Sequence, residues 1–168
     1  MLEGAGLEVC GLAGLAGRPL DRDVLERMGA SIHPRGPDEG GFFEGAAASL
    51  VSRRLRIIDV ANGRQPIRNE AGTAAIVLNG EIYNHHELRS ELEARGHRFR
   101  TAADTEVVLH LWEDEGPRCV QRLLGMFAFA IWDETERSLF IARDRLGKKP
   151  LYHHQLPGGE LVFGAAIK

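Results

Sequence analysis

Met126-Phe127-Ala128-Phe129-Ala130-Ile131-Trp132 is the stretch on which the fold class turns. Large Phe127, Phe129 and Ile131 alternate with small Ala128 and Ala130, the period of two that marks a strand, yet neither parity is polar. A strand apolar on both faces has to be covered on both. Downstream, Asp133-Glu134-Thr135-Glu136 turns the chain into Ser138 to Ala142, a hairpin partner, and Leu161 to Phe163 follows Pro157-Gly158-Gly159 as a further strand. Upstream, Ala74 to Leu78 and Leu7 to Leu12 read as short apolar strands. Three helices are signalled between them. Asp21 offers an N-cap to a segment carrying Val24, Leu25 and Met28; Asn84, with Glu87 three residues on, opens one that ends at Gly96; Asp104 precedes Val107, Val108, Leu111 and Trp112. Pro34-Arg35-Gly36-Pro37-Asp38-Glu39-Gly40-Gly41 is too rich in Gly and Pro for regular structure and reads as a loop. Hairpin strands mixed with a few helices predict an α+β architecture, two stacked sheets with helices outside.

A chain of 168 residues, 43% hydrophobic and 27% charged, has the size and core of one globular domain, and no repeat or linker divides it. Lys and Arg total 21 against 24 Asp and Glu, a net charge of -3, so nothing favours a nucleic-acid partner. No apolar run approaches the roughly 20 residues that span a bilayer, and the first residues lack the order of a signal peptide. No membrane partner is expected, and a cytoplasmic protein is the default. Cys10 and Cys119 are too few for a disulfide scaffold or a four-thiolate zinc site. The pairs His85 and His86, and His153 and His154, are adjacent residues that would point to opposite faces of a strand, so no metal site is expected.

Candidate chemistry is concentrated in two places. Cys10-Gly11-Leu12-Ala13-Gly14 sets a thiol beside small residues, which suits either a buried structural cysteine or a nucleophile. Asn79-Gly80-Glu81-Ile82-Tyr83-Asn84 follows the apolar run Ala74 to Leu78 and so puts an amide, a glycine and a carboxylate at a strand end. An Asn side chain and a Gly N–H can together donate to a developing oxyanion; the alternative is an Asn-Gly turn without chemistry.

These pieces recur in order with others: Arg35-Gly36-Pro37-Asp38, Arg53-Arg54-Leu55-Arg56-Ile57-Ile58-Asp59, Gln65-Pro66, Asp104-Thr105-Glu106, Gly125 to Ala130, and Arg143-Asp144-Arg145-Leu146-Gly147-Lys148-Lys149-Pro150-Leu151-Tyr152. The series resembles the glutaminase domain of asparagine synthetases, which are class II glutamine amidotransferases, from Cys10 to about Lys168. The resemblance implies the N-terminal-nucleophile fold, a four-layer αββα sandwich of two antiparallel sheets. It also implies that Cys10 attacks the side-chain amide of glutamine and that its own α-amine is the base. Asn79 and Gly80 would hold the oxyanion, Arg54 the substrate carboxylate, and Glu81 and Asp104 its α-ammonium. Taken singly, Arg54 is equally a solvated surface arginine and Asp104 a helix N-cap. The implied partners are glutamine and an ATP-dependent synthetase domain in cis or in trans, with a homodimer also compatible. No cofactor is expected in this domain, since ATP and Mg belong to the synthetase domain.

The chain departs from the family pattern at several points. Residues 1–9 precede Cys10, as a propeptide, a misplaced start or residues added in cloning, and the domain proper is 10–168. While they remain attached, the Cys10 nitrogen is an amide and no base. A misplaced start is the preferred reading, because Met1 to Glu8 carries no processing signal. Pro34 and Ser52 stand where the family usually has histidine, with His33 one place before Pro34, and Ala165-Ala166-Ile167-Lys168 replaces a Ser-Glu-Ile-Lys pattern. The synthetase domain is absent from the sequence. The competing reading is a non-catalytic scaffold or regulatory module of the same fold.

Overall fold

The computed structural model describes residues 10–54 and 63–167. Along them run β1 (Gly11–Ala16), α1 (Arg22–Ser31), β2 (Glu39–Glu44), β3 (Ala48–Arg54), β4 (Ile67–Arg68), β5 (Ala74–Ile82), α2 (His85–Ala94) and α3 (Asp104–Glu115). They are followed by β6 (Gly125–Asp133), β7 (Ser138–Arg143), β8 (Tyr152–Gln155) and β9 (Leu161–Gly164). The strands form two antiparallel sheets, ordered β2-β3-β1-β9-β8 and β4-β5-β6-β7.

The period of two in β6 sorts the core into layers. Phe127, Phe129 and Ile131 join Ile76 and Leu78 of β5 and pack under Leu88, Leu92, Val107 and Leu111 of α2 and α3. Ala128, Ala130 and Trp132 join Ala75 and Val77 on the opposite face, where they meet Leu12, Ala16, Ala48 and Leu50 of the other sheet. The outer face of that other sheet is closed by Leu25 of α1 over Ala13 and Val51. The order is therefore helix, sheet, sheet, helix, the four-layer αββα sandwich. The alternation of large and small in β6 has a physical reason: bulky rings fill the space under the helices, while alanines let two sheets approach to about 10 Å. Each fully buried Phe side chain contributes on the order of 1.5–3 kcal/mol.

Local details differ from the sequence expectations. The first strand runs Gly11–Ala16 rather than ending at Leu12, so Cys10 stands before it; Leu7 to Val9 lie outside the described residues. Glu39, Gly40 and Gly41, expected in a loop, open β2, because their backbones pair with Ser52, Arg53 and Arg54. Asn79, Gly80 and Glu81 lie within β5, which runs on to Ile82. Asn84 occupies the N-cap of α2, but its amide is spent elsewhere, donating to Arg122 O at 2.9 Å and accepting from Leu124 N–H at 3.0 Å. Ala103, not Asp104, caps α3. Among the described residues no helix is long and apolar enough to cross a membrane.

Candidate functional site

The strand registers decide where the candidate residues meet. Gly11 pairs with Arg53, so carrying that antiparallel register one residue further sets Cys10 opposite Arg54. Cys10 shares the parity of Leu12 and Ala16, and Arg54 that of Ala48 and Leu50, all of which face the second sheet. On β5, Asn79 and Glu81 share the parity of Ala75 and Val77, which face the first sheet. β1 and β3 pack directly across from β5. Arg54, Asn79 and Glu81 thus belong to the interior faces of the two sheets, with Cys10 at the entry to β1.

Gln65 ties the two sheets together. Its Oε1 accepts from Leu78 N–H at 2.7 Å, and its Nε2 donates to Leu78 O at 3.1 Å and to Thr105 Oγ1 at 3.2 Å. Its carbonyl accepts from the Ser52 hydroxyl at 2.9 Å. One residue therefore links β3, two positions before Arg54, to β5, one position before Asn79, and both to α3. Ser52, where the family pattern has histidine, serves this link. Arg54 is buried, with Nη1 3.4 Å from Glu39 Oε2. The Arg-Gly-Pro-Asp segment presses on its backbone: a Cβ on Gly36 would lie 2.4 Å from the Arg53 carbonyl. Leu55 to Asp59, the rest of that arginine motif, lie outside the described residues.

Asn79 is 1% exposed, and neither atom of its amide has a hydrogen-bond partner. Such a group ordinarily costs about 1–3 kcal/mol to bury. Gly80 next to it has φ +145, and a Cβ there would lie 2.0 Å from Met126 O, so only glycine fits. Its cross-strand neighbour Phe127 turns away: the Phe127 N–H donates to Asp144 Oδ2 at 3.2 Å, and its C=O accepts from Asp144 N–H at 2.8 Å. The Gly80 N–H is therefore not consumed by that ladder. It belongs to the row on the other edge of β5, where Leu78 N–H goes to Gln65 and Ile82 N–H goes to Asp104 Oδ2 at 2.8 Å. Asp104 is 5% exposed; burial pushes its carboxyl pKa up, opposed by the Ile82 N–H and by His85. Arg54, Asn79, Gly80 and Glu81 thus come from strands far apart in sequence, and Asp104 joins β5 from the start of α3 through Ile82 N–H.

Two features went unread in the sequence. Asp144 accepts four backbone N–H bonds, from Phe127, Leu146, Lys148 and Lys149, and burial, which would raise its pKa, is outweighed so that the carboxyl titrates lower than usual. Lys149 is buried, its pKa lowered by that burial despite its attraction to Cys10. Both lie in a quoted motif, but only the folded loop shows what they touch. Cys119 is the structural thiol of the pair: burial, then Glu115, pushes its pKa to about 12. A separate cavity of about 350 Å³, lined by Met28, Ile32, Tyr152, His154 and Phe163, holds none of the candidate residues.

A family profile described as a glutamine amidotransferase domain matches residues 9–168. The chain is 40% identical over 166 residues to asparagine synthetase (glutamine-hydrolyzing) 2 of Bacillus subtilis, which covers 95% of this chain and 22% of that protein. Against asparagine synthetase B (glutamine-hydrolyzing) of Escherichia coli it is 42% identical over 149 residues, 89% of this chain and 26% of that one. It spans about a quarter of the length of these curated relatives. Among solved structures, the glutamine phosphoribosylpyrophosphate amidotransferase of B. subtilis, complexed with ADP and GMP, superposes with a TM-score of 0.70 at 23% identity, over 93% of this chain and 42% of that one. An allosteric regulatory enzyme of purine biosynthesis superposes with a TM-score of 0.73 at 22% identity, over 93% and 42% of the two chains. Likeness at that identity shows a shared fold, and the profile match together with it makes this chain a member of the glutamine amidotransferase domain family, built as the N-terminal-nucleophile α+β sandwich.

Proposed function

We propose that this domain hydrolyses glutamine to glutamate and ammonia through a thioester on Cys10, and that the ammonia serves a synthetase domain making asparagine or a related amide. The observation that carries this is Asn79: a buried amide with both polar atoms unpaired, beside a glycine N–H left out of the β6 ladder. Two such donors are what a tetrahedral oxyanion needs, and a buried donor that lacks a partner is repaid when charge develops. The Cys10 thiol gives its proton to the base and its sulfur attacks the glutamine amide carbon. The amide oxygen becomes the oxyanion, held by Asn79 and Gly80. Collapse expels ammonia, which takes the proton, and water then attacks the thioester to release glutamate and restore the thiol. Arg54 receives the substrate carboxylate as a two-pronged donor. Glu81 and Asp104 receive the α-ammonium, whose charge would favour the ionised form of Asp104 against the burial that opposes it.

The base is the α-amine of Cys10 once that residue is N-terminal, since an α-amine of pKa near ~8 takes and returns a proton at neutral pH. The synthetase domain acts in cis or in trans, and ATP and Mg belong to it. A homodimer and a cytoplasmic setting complete the reading. The test is ammonia release from glutamine by the chain as written, by a chain beginning at Cys10, and by the latter with Cys10→Ala. Activity is expected only in the second, with a gain of about a hundredfold to ten-thousandfold over the first. Equal activity in the first two would mean another base serves Cys10. No activity in any, even with a synthetase domain supplied in trans, would favour a non-catalytic module.

A further inference from the structure

A second cluster of chemistry-bearing side chains lies on the helix side of the second sheet. Glu70 stands in the β4–β5 turn, His97 in the α2–α3 connection and His110 within α3, and a donor atom from each lies within 4.8 Å of the others. Both imidazoles have one nitrogen held by a carboxylate. His97 Nε2 is 3.0 Å from Asp114 Oδ1, and His110 Nδ1 is 2.7 Å from Glu113 Oε2. Their remaining nitrogens are uncommitted by hydrogen bonds. His97 Nδ1 is 3.9 Å from Glu70 Oε1, and the buried Nε2 of His110 has no hydrogen-bond partner, with Glu106 Oε1 3.7 Å away. A histidine whose second nitrogen is fixed by a carboxylate is the usual form of a metal-binding histidine, because the hydrogen bond sets the tautomer and raises the basicity of the free nitrogen.

We propose that Glu70, His97 and His110 bind a divalent transition-metal ion of the zinc type, with water in the fourth position. Two imidazoles and a carboxylate suit zinc, whereas magnesium and calcium prefer oxygen alone. Metal–ligand bonds near ~2.1 Å would space tetrahedral ligands by about 3.4 Å, so the three side chains close in by roughly an ångström. Glu70 is exposed and stands on a turn, its Oε1 accepting from Arg98 N–H at 2.7 Å, a bond the ion would compete with, and the half-buried His97 leaves a path for the ion. The ion competes with a proton. Burial opposes charge on His110, but Glu106 and Glu113 outweigh it and raise the ring's pKa to about 9. A bound ion would tie the β4–β5 turn and the α2–α3 connection to α3, the helix whose first residue is Asp104.

The test uses the full chain carrying Cys10→Ser, so that no exposed thiolate competes, titrated with cobalt(II) as an optical probe. The expected result is one ion per chain with the visible spectrum of a four-coordinate site, an affinity lowered about tenfold to a hundredfold in His97→Ala and in Glu70→Gln, and a Tm raised by zinc in the parent but not in His97→Ala. Absence of the cobalt spectrum would overturn the proposal and leave the cluster a knot of ion pairs around a protonated His110. A spectrum unchanged by both substitutions would overturn it too, and assign binding to the His85 and His86 or His153 and His154 pairs.

Discussion

Asn79 is buried at a cost that its surroundings do not repay, since both ends of its amide lack partners. On the function proposed above, such a group is kept for a ligand. Replacing it by Leu, of similar size, removes the unpaired donor and acceptor together, so Asn79→Leu should leave stability unchanged or raise it by about 1 kcal/mol. The same change should lower the rate of glutamine hydrolysis by about a hundredfold to a thousandfold, the usual effect of deleting one oxyanion donor. Denaturant unfolding and ammonia release on the same preparations check both halves, and a loss of stability would mean that the amide has a structural partner. The Asn-Gly pair could be found in the sequence; that its amide is unpaired could not, because the partners of a buried group come from other strands.

Among the elements, the β7–β8 connection is organised by one carboxylate. Asp144 binds the N–H groups of Phe127, Leu146, Lys148 and Lys149, so it fastens β6 at the level of Gly80 to the loop that carries the buried Lys149. Asp144→Ala should cost at least about 2 kcal/mol, since several charge-assisted bonds go at once and leave buried N–H groups behind. Its pH dependence has a definite sign. The native carboxyl titrates below its ordinary value of 3.8, so its stabilisation is complete above that value and is lost as pH falls below it. The difference in unfolding free energy between parent and variant should therefore be constant near neutrality and shrink in acid, which urea unfolding at a series of pH values measures. A difference that persisted undiminished at the acid end would assign the effect to packing instead of charge.

For the molecule as a whole, the candidate site depends on the spacing of two sheets, because Arg54 comes from one, with Cys10 just before its strand β1, and Asn79 and Gly80 come from the other. Alanines set that spacing. Ala130 is fully buried on the shared face, so Ala130→Leu should push the sheets apart, cost about 1–3 kcal/mol and lower kcat/KM in the folded enzyme. Phe129→Leu, one residue away but facing the helices, should cost a similar amount through a cavity while leaving kcat/KM of the folded fraction close to that of the parent. Equal kinetic damage from both would mean that stability and not sheet spacing controls the site.

The sequence by itself determined the doubly covered β6, its hairpin with β7, the three helices and the family, because period, caps and short motifs are properties of contiguous residues. It also supplied the types of residue at the candidate site. The tertiary structure decided which groups share a face and which are already spoken for. Asp104 became a partner of Ile82 N–H where a helix cap was expected, Gln65 became the link between the sheets, and Glu39 to Gly41 became a strand where a loop was expected. Each outcome depends on a pairing between residues 11 or more positions apart, and no local pattern encodes which distant backbone will be the partner.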